Sequence, residues 1–229
     1  MLRRTVLVTG FEPFGSYAVN PSGMIAESLA GRVVWELTVR SGVLPVVRGE
    51  TGRRVIELIA RHDPAAVVCF GQGSPRQTAL RVERLATNVR DFPIADNAGH
   101  RPTGEPIIPG APTAYLTTLP VTVIRDHVRE AGVPCRLSNS AGTFLCNEVM
   151  FTVLEYLSGR PSAPPAGFVH VPLLPEQVAS LEQPGPSMAL ETMLRGAEAV
   201  LAAVADGLPR GAGRVAPVRS GRGGIRTHR

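Results

Sequence analysis

The sequence predicts an α/β fold, in which a mostly parallel, twisted sheet carries helices on both faces within a single domain. Short apolar runs bounded by glycine or proline alternate with longer segments whose apolar residues recur at helical spacing. The chain has 229 residues and is 44% hydrophobic but only 5% aromatic, which indicates a sizeable core of mainly aliphatic side chains. In such folds ligands bind beyond the carboxyl ends of the strands.

The predicted strands are short runs with the composition of buried sheet. The first is rich in β-branched residues and ends at Gly10, and the fourth ends before the turn at Gly71. Residues 78–88 are predicted to be extended as well. The six runs comprise residues 5–9, 33–39, 43–47, 66–70, 136–139 and 167–171.

Five segments are predicted to be helices. The first has Asn20 as candidate N-cap and Pro21 at the first helical position, and the second is stopped by Asp63 and Pro64. The last is long, rich in alanine and amphipathic. The five segments comprise residues 21–30, 50–61, 121–131, 145–157 and 188–205.

Two segments lack this periodicity. Residues 89–113 are rich in Pro, Gly, Asp and Asn, and a long irregular stretch inside a domain is usually functional or mobile. From residue 207 onward the chain is rich in Gly and Arg, with six arginines and no acidic residue. The expected organisation is one domain over residues 1–206 and a disordered basic tail over residues 207–229.

Charge and composition argue against nucleic-acid and membrane partners. The net charge of +5 is carried by the tail, which has no stacking aromatic residue, so the rest of the chain is nearly neutral. No run approaches the roughly 20 apolar residues of a membrane span. The basic start followed by residues 5–9 reads as a first strand rather than a signal peptide. Three cysteines without a CxxC pair predict no disulfide framework, and the reducing cytoplasm is the expected compartment.

Cys146 is the candidate nucleophile. It falls in the first turn of the predicted helix 145–157, where free backbone N–H groups and the helix dipole stabilise a thiolate and could hold an oxyanion. The alternative is a buried, inert cysteine. Cys69 lies inside a strand expected to be buried on both faces, and Cys135 precedes a strand with no nearby charge; both are interpreted as packing residues.

His170 and Glu83 are the candidate partners of this cysteine. His170 stands near the end of a predicted central strand, where a base for the thiol is needed; the alternative is a core histidine. Glu83 could orient the imidazole through its other nitrogen, or it could form a solvent-facing ion pair with Arg84. The remaining histidines lie at a helix end, in the irregular loop, on a solvated helix face and in the tail: His62, His100, His127 and His228.

The loop at residues 10–15 carries two phenylalanines, Phe11 and Phe14, where polar residues are usual. They either anchor the loop to the core or line an apolar pocket. The glycines of this loop fit no phosphate-binding pattern.

Together these segments resemble one family closely. The chain is similar to the pyroglutamyl peptidase I (pyrrolidone-carboxylate peptidase) family of cysteine peptidases over about residues 5–205. The resemblance is carried by four segments in order, namely residues 8–15 (VTGFEPFG), 83–88 (ERLATN), 141–147 (AGTFLCN) and 167–177 (GFVHVPLLPEQ).

The resemblance implies roles for individual residues. Cys146 would be the nucleophile, His170 the general base and Glu83 the orienting acid. Asn20 matches a position that braces the phenylalanine loop. The family's substrate pocket falls on Phe11, Phe14, Gln72, Ile94, Phe144 and Leu145.

The resemblance also implies a fold and a reaction. The fold is three-layer α/β/α, with residues 1–206 as the peptidase domain. The activity is removal of N-terminal pyroglutamate from peptides through a thioester acyl-enzyme, with no metal or organic cofactor. The location is cytoplasmic and the usual assembly is a homotetramer. Because pyroglutamate is a lactam without a free amine, its pocket should have apolar walls and a few hydrogen-bonding groups.

Two positions depart from the family pattern. Pro93 stands where an Arg is common, with Arg90 nearby as a possible substitute, and Glu148 stands where His is frequent. The first departure leaves a second interpretation open, in which the chain is a catalytically weak or inactive homologue, either binding pyroglutamyl peptides or handling another small amide. A third interpretation is a metal site formed by Cys146, His170 and Glu83.

Overall fold

The computed structural model describes residues 4–209, so residues 210–229, most of the predicted tail, lie outside the described part. Strands and helices alternate through most of it, although the four strands between residues 66 and 116 follow one another without a helix. The strands form one seven-stranded sheet and one small two-stranded sheet. The strands are β1 (Arg4–Phe11), β2 (Val33–Val34), β3 (Leu37–Leu44), β4 (Ala66–Gln72), β5 (Leu80–Glu83), β6 (Leu85–Thr87), β7 (Ala114–Leu116), β8 (Cys135–Ser138) and β9 (Ala166–Val171).

The large sheet has the strand order β2-β3-β1-β4-β9-β5-β8. Four neighbouring pairs are parallel, and two are antiparallel: β2 with β3, and β5 with β9. The predicted mostly parallel sheet is therefore confirmed. The antiparallel pairing of β5 with β9 sets Arg81 beside His170 and Glu83 beside Phe168.

Helices cover both faces of this sheet, which confirms the predicted three layers. One apolar core lies between the sheet and α1, α3 and α6, and a second lies between the sheet and α2 and α4. The helices are α1 (Pro21–Leu29), α2 (Glu50–His62), α3 (Val121–Glu130), α4 (Leu145–Leu157), α5 (Pro175–Ala179) and α6 (Leu190–Gly207). Gly207 thus belongs to α6, and Leu208 packs into the first core at 5% exposure.

The predictions over residues 33–47 were wrong in detail. The chain makes a tight turn at Trp35, which has a positive φ of 48°, and β3 then runs without a break through residues 40–42. Gly42 permits this, because a Cβ there would come within 2.5 Å of Leu58 of α2. The short elements β7 and α5 were not predicted, since neither is long enough to show a period.

Residues 89–113 contain no helix or strand, as predicted. Among the described residues, no helix is both long enough and apolar enough to cross a lipid bilayer.

Candidate active site

A cavity of about 880 Å³ opens at the carboxyl ends of the central strands. Its walls come from the loop after β1, the turn after β4, the end of β9 and the β8–α4 connection. The fold class predicts a ligand site at this edge.

Cys146 lies at the edge of this cavity in the first turn of α4. The helix begins after Phe144, an N-cap residue whose side chain makes no capping hydrogen bond. The first backbone N–H groups of α4 are therefore not satisfied by a cap, and they add to the positive end of the helix dipole beside the thiol. The thiol is partly exposed.

The other two cysteines are buried, as predicted. Burial raises the pKa of Cys69 to about 12, against a weak opposing hydrogen bond from Thr9. Burial likewise raises the pKa of Cys135 to about 11. Both remain protonated at neutral pH, and a protonated thiol is a poor nucleophile.

His170 and Glu83 form a buried pair behind the thiol. His170 Nδ1 lies 2.8 Å from Glu83 Oε1, and Glu83 is 0% exposed, so the solvent-facing ion pair with Arg84 does not form. Glu83 Oε2 has no hydrogen-bond partner among the described residues. A buried carboxylate oxygen without a partner is costly, which favours a functional reason for placing it there.

Cys146 and His170 line the same cavity, and Cys146 is close enough to influence the pKa of His170. Burial by itself lowers the pKa of His170. The negative charges and hydrogen bonds of Cys146 and Glu83 outweigh burial and raise that pKa to about 9. Cys146, His170 and Glu83 therefore lie together at one side of the cavity, which is the arrangement that a cysteine acyl-transfer site requires.

Gly71 makes room for the thiol of Cys146. It lies beside His170 in the register of β4 and β9. A Cβ at this position would lie 2.5 Å from Phe168 Cζ and 2.9 Å from Cys146 Sγ. The thiol and the Phe168 ring thus occupy the space that any larger residue at position 71 would need.

Asn20 supports the phenylalanine loop, and its predicted N-cap role is confirmed. Its Oδ1 accepts from Ser22 N at 3.1 Å and from Ser22 Oγ at 2.7 Å, and its Nδ2 donates to Glu12 O at 2.9 Å. Ser22 Oγ in turn accepts from Phe11 N at 3.1 Å. The start of α1 therefore fixes the backbone of the loop at two points.

The aromatic residues of the cavity form a connected wall. The ring of Phe14 lies 5.8 Å from that of Phe144, and Phe92 packs against Phe144 at 4.7 Å. Phe11 is buried and packs towards Phe168 at 6.3 Å. Both interpretations of the loop phenylalanines apply to Phe11, because it anchors the loop to the core and also lines the cavity.

The remaining predicted pocket residues also line the cavity, in different ways. Ile94 is 42% exposed and stands at the rim, whereas Leu145 is only 1% exposed and belongs to the floor. Gln72 is buried, and its Oε1 accepts from Gln177 Nε2 at 2.9 Å. The amide nitrogen of Gln72 is the group left to face a ligand.

The loop after Asn88 brings Pro93 to the cavity, at the position of the family's Arg. Arg90 does not take that place. Its Nε donates to Glu148 at 2.6 Å and its Nη1 to Pro106 O at 2.9 Å. The second departure, Glu148, is buried and pairs with Arg90, so Arg90 is held at Glu148 rather than at the position of Pro93.

Sequence reasoning did not single out four residues of this region: Gly71, Gln77, Arg81 and Gln177. Gly71 and Gln177 lie in segments whose pattern was noted, but only packing shows what they do.

In residues 4–209, no three His, Cys, Asp or Glu side chains converge as metal ligands. The structure thus brings the triad and every predicted pocket residue to one cavity, with Glu83 just behind it.

Comparison with known proteins identifies the family of this chain. The family model for pyroglutamyl peptidase matches residues 4–206. A pyrrolidone-carboxylate peptidase of Vibrio vulnificus is 44% identical over 198 residues, covering 86% of this chain and 91% of that protein. One from Thermococcus kodakarensis is 41% identical over 205 residues, covering 90% and 98%.

Solved structures agree with the sequence relatives. The pyroglutamyl peptidase I of Bacillus amyloliquefaciens superposes with a TM-score of 0.84 at 33% identity, covering 88% of this chain and 97% of that one. A variant of the Pyrococcus furiosus pyrrolidone carboxyl peptidase superposes with a TM-score of 0.86 at 38% identity, covering 90% and 100%. Sequence, fold and site together show that this chain belongs to the pyroglutamyl peptidase family.

Proposed function

We propose that the chain is a cysteine peptidase that hydrolyses the bond after an N-terminal pyroglutamyl residue of peptides. The observation that carries the proposal is the arrangement of Cys146, His170 and Glu83 at the edge of a cavity walled by phenylalanines. It combines the machinery of acyl transfer with a pocket for an uncharged ring.

The reaction begins with attack by Cys146. His170 holds the proton of the thiol, and the thiolate adds to the pyroglutamyl carbonyl carbon. The oxyanion is stabilised by the uncapped backbone N–H groups at the start of α4. His170 then protonates the departing amine, the C–N bond breaks, and a thioester remains on Cys146. Water, deprotonated by His170, cleaves the thioester and releases pyroglutamate.

The pocket selects the lactam by its lack of charge. The walls formed by Phe11, Phe14 and Phe144 suit the ring, and the amide nitrogen of Gln72 can donate to the lactam carbonyl. An uncyclised Gln or Glu would bring an ammonium group into this apolar space without a partner, which is costly.

The pH dependence follows from the pKa of His170. The imidazolium that protonates the departing amine is present below about pH 9 and is lost above it, so kcat/KM is expected to fall at alkaline pH with an apparent pKa of about 9. In Glu83→Gln a charge that raises the pKa of His170 is gone, so this alkaline limb should move to lower pH. A Glu27→Gln control, on an exposed position of α1, should leave the limb in place. If the alkaline limb of kcat/KM does not move in Glu83→Gln, Glu83 does not raise the pKa of His170.

Asn20 provides a test of the phenylalanine loop. Asn20→Ala is expected to lower the free energy of unfolding by about 1 kcal/mol, because the N-cap of α1 is lost. It should also reduce kcat/KM about tenfold, since the loop carrying Phe11 and Phe14 loses its brace. Asn20→Asp keeps the acceptor for Ser22 but cannot donate to Glu12 O, so it should retain most of the stability and still lose activity. Urea unfolding and steady-state kinetics measure the two effects, and full activity in both variants would contradict the bracing role.

We also propose a cytoplasmic location and a homotetrameric assembly, both from the family resemblance. Light scattering of the purified chain measures the assembly directly, and a monomer at micromolar concentration would overturn the proposed homotetramer.

The function is tested with a panel of aminoacyl fluorogenic amides. Pyroglutamyl amide is expected to be cleaved, whereas the glutaminyl, glutamyl and prolyl amides should be cleaved at least about a hundredfold more slowly, because of their ammonium groups. Equal cleavage of all four, or none of the pyroglutamyl amide, would refute the proposal.

A further inference from the structure

Arg81 carries the one permanently charged side chain among the described residues that line the cavity. It lies on β5, half-buried, two residues before Glu83. Within residues 4–209, no carboxylate lies within salt-bridge distance of Arg81, and the salt bridges of the fold are made by other arginines. Partial burial lowers the pKa of Arg81, and the charges of Glu83 and Cys146 oppose that shift.

The guanidinium of Arg81 is held in place by Gln77. Its Nε donates to Gln77 Oε1 at 2.7 Å, while Gln77 Nε2 donates to His170 O and to Ala79 O, each at 2.9 Å. Gln77 is only 1% exposed. A Cβ on Gly73 would lie 1.9 Å from Gln77 Oε1, so glycine at position 73 leaves room for the Gln77 side chain. In the described part of the chain, the Nη groups of Arg81 make no hydrogen bond, and they remain available as a fork of donors.

The position of Arg81 identifies the part of the substrate that it faces. In the antiparallel pairing of β5 and β9, Arg81 stands directly beside His170, and paired residues project from the same face of a sheet. His170 is the group that delivers a proton to the departing amine. Arg81 is therefore placed to face the departing peptide, whose amine receives the proton of His170.

The surroundings on this side are polar. Ser74, from the turn after β4, and Ser138 and Asn139, from the end of β8, line the same cavity as Arg81. None of these three residues is charged, so they add no negative charge that would repel a bound anion.

We propose that Arg81 binds a carboxylate of the departing peptide, so that the enzyme prefers pyroglutamyl substrates whose first residue after the lactam carries one. The carboxylate is either the free C-terminus of a pyroglutamyl dipeptide or an acidic side chain at that residue. The inference rests on the proposed function, because it takes the cleaved bond to lie at Cys146 and His170.

Two pairs of substrates distinguish the sources of the carboxylate. Pyroglutamyl-alanine is compared with pyroglutamyl-alanine amide, and pyroglutamyl-aspartate amide with pyroglutamyl-asparagine amide. For the natural chain, kcat/KM is expected to favour the carboxylate member of at least one pair by about tenfold or more, as for a hydrogen bond to a charged group. Whichever pair shows the preference identifies the source.

Arg81→Met should bring that ratio close to one, and Arg81→Lys should retain part of it, since Lys keeps the charge but loses the fork. Both substrates of a pair are measured on one preparation, so the ratio of their kcat/KM values does not depend on how much of a variant is folded. The matched control is Arg136→Met, which removes an arginine that is paired with Arg81 in the sheet but is exposed and outside the cavity lining. Its ratio should stay within about twofold of the natural one.

Three results would overturn the inference or its basis. A natural chain that cleaves all four substrates without preference, or equal loss of preference in Arg81→Met and Arg136→Met, overturns the role of Arg81 and leaves the proposed function intact. A natural chain that cleaves none of the four overturns the proposed function itself.

Discussion

Replacing Cys146 by Ala is expected to reduce kcat for pyroglutamyl amide cleavage by at least about 10⁴-fold. The reason is that the thioester cannot form without the sulfur, and the remaining groups at the site can only bind and polarise the substrate. The protein should still fold, because the thiol is partly exposed and loses only a small side chain. Substrate turnover and circular dichroism measure the two properties on one sample.

The matched control for this variant is Cys135→Ala. Cys135 is buried outside the cavity and is protonated at neutral pH, so its loss should leave kcat within about twofold, at a modest cost in stability. Retained turnover in Cys146→Ala, or a comparable loss in Cys135→Ala, would contradict the assignment of the nucleophile.

Replacing Gly71 by Ala is expected to reduce kcat/KM by about a hundredfold, because small displacements of a reacting atom have effects of this size. The added Cβ would lie 2.5 Å from Phe168 Cζ and 2.9 Å from Cys146 Sγ, so at least one of them must move. Since Phe168 is fully buried, the shift also overpacks the second core, and the free energy of unfolding should fall by about 1–3 kcal/mol.

Gly207→Ala is the control for adding a methyl group. A Cβ at Gly207, the last residue of α6, meets only Pro120 Cγ at an ordinary 3.6 Å. This control should leave both kcat/KM and stability nearly unchanged. Natural activity in Gly71→Ala would show that the thiol tolerates the displacement, and the packing account of Gly71 would then be wrong.

Sequence patterns were sufficient for most of the fold. The helix 145–157 agrees with α4, and the strand 66–70 lies within β4, because both are long or strongly apolar. The break predicted at residues 40–42 was wrong, since Ser41 and Gly42 resemble a turn while their neighbours pair along the whole of β3. The tight turn at Trp35 was missed because a positive φ is uncommon for a bulky residue, so the local sequence carries no turn signal there.

For the site, the sequence predicted residues that the structure brings together, but not the residues that hold them in place. Cys146 and His170 stood out by residue type and by position at element ends. Gln77 and Arg81 did not, because their importance depends on β5 running antiparallel to β9, a pairing that connects distant parts of the chain. The link between Arg90 and Glu148 is likewise a contact across 58 residues.

The most direct test of the central claim is alkylation with iodoacetamide at neutral pH, followed by intact mass, peptide mapping and pyroglutamyl amide cleavage on the same samples. We predict that one carbamidomethyl group per chain is added, that it maps to Cys146, and that activity falls in proportion, because Cys69 and Cys135 stay buried and protonated. Full activity in a chain quantitatively modified at Cys146, or loss of activity that follows Cys69 or Cys135 instead, would contradict the account.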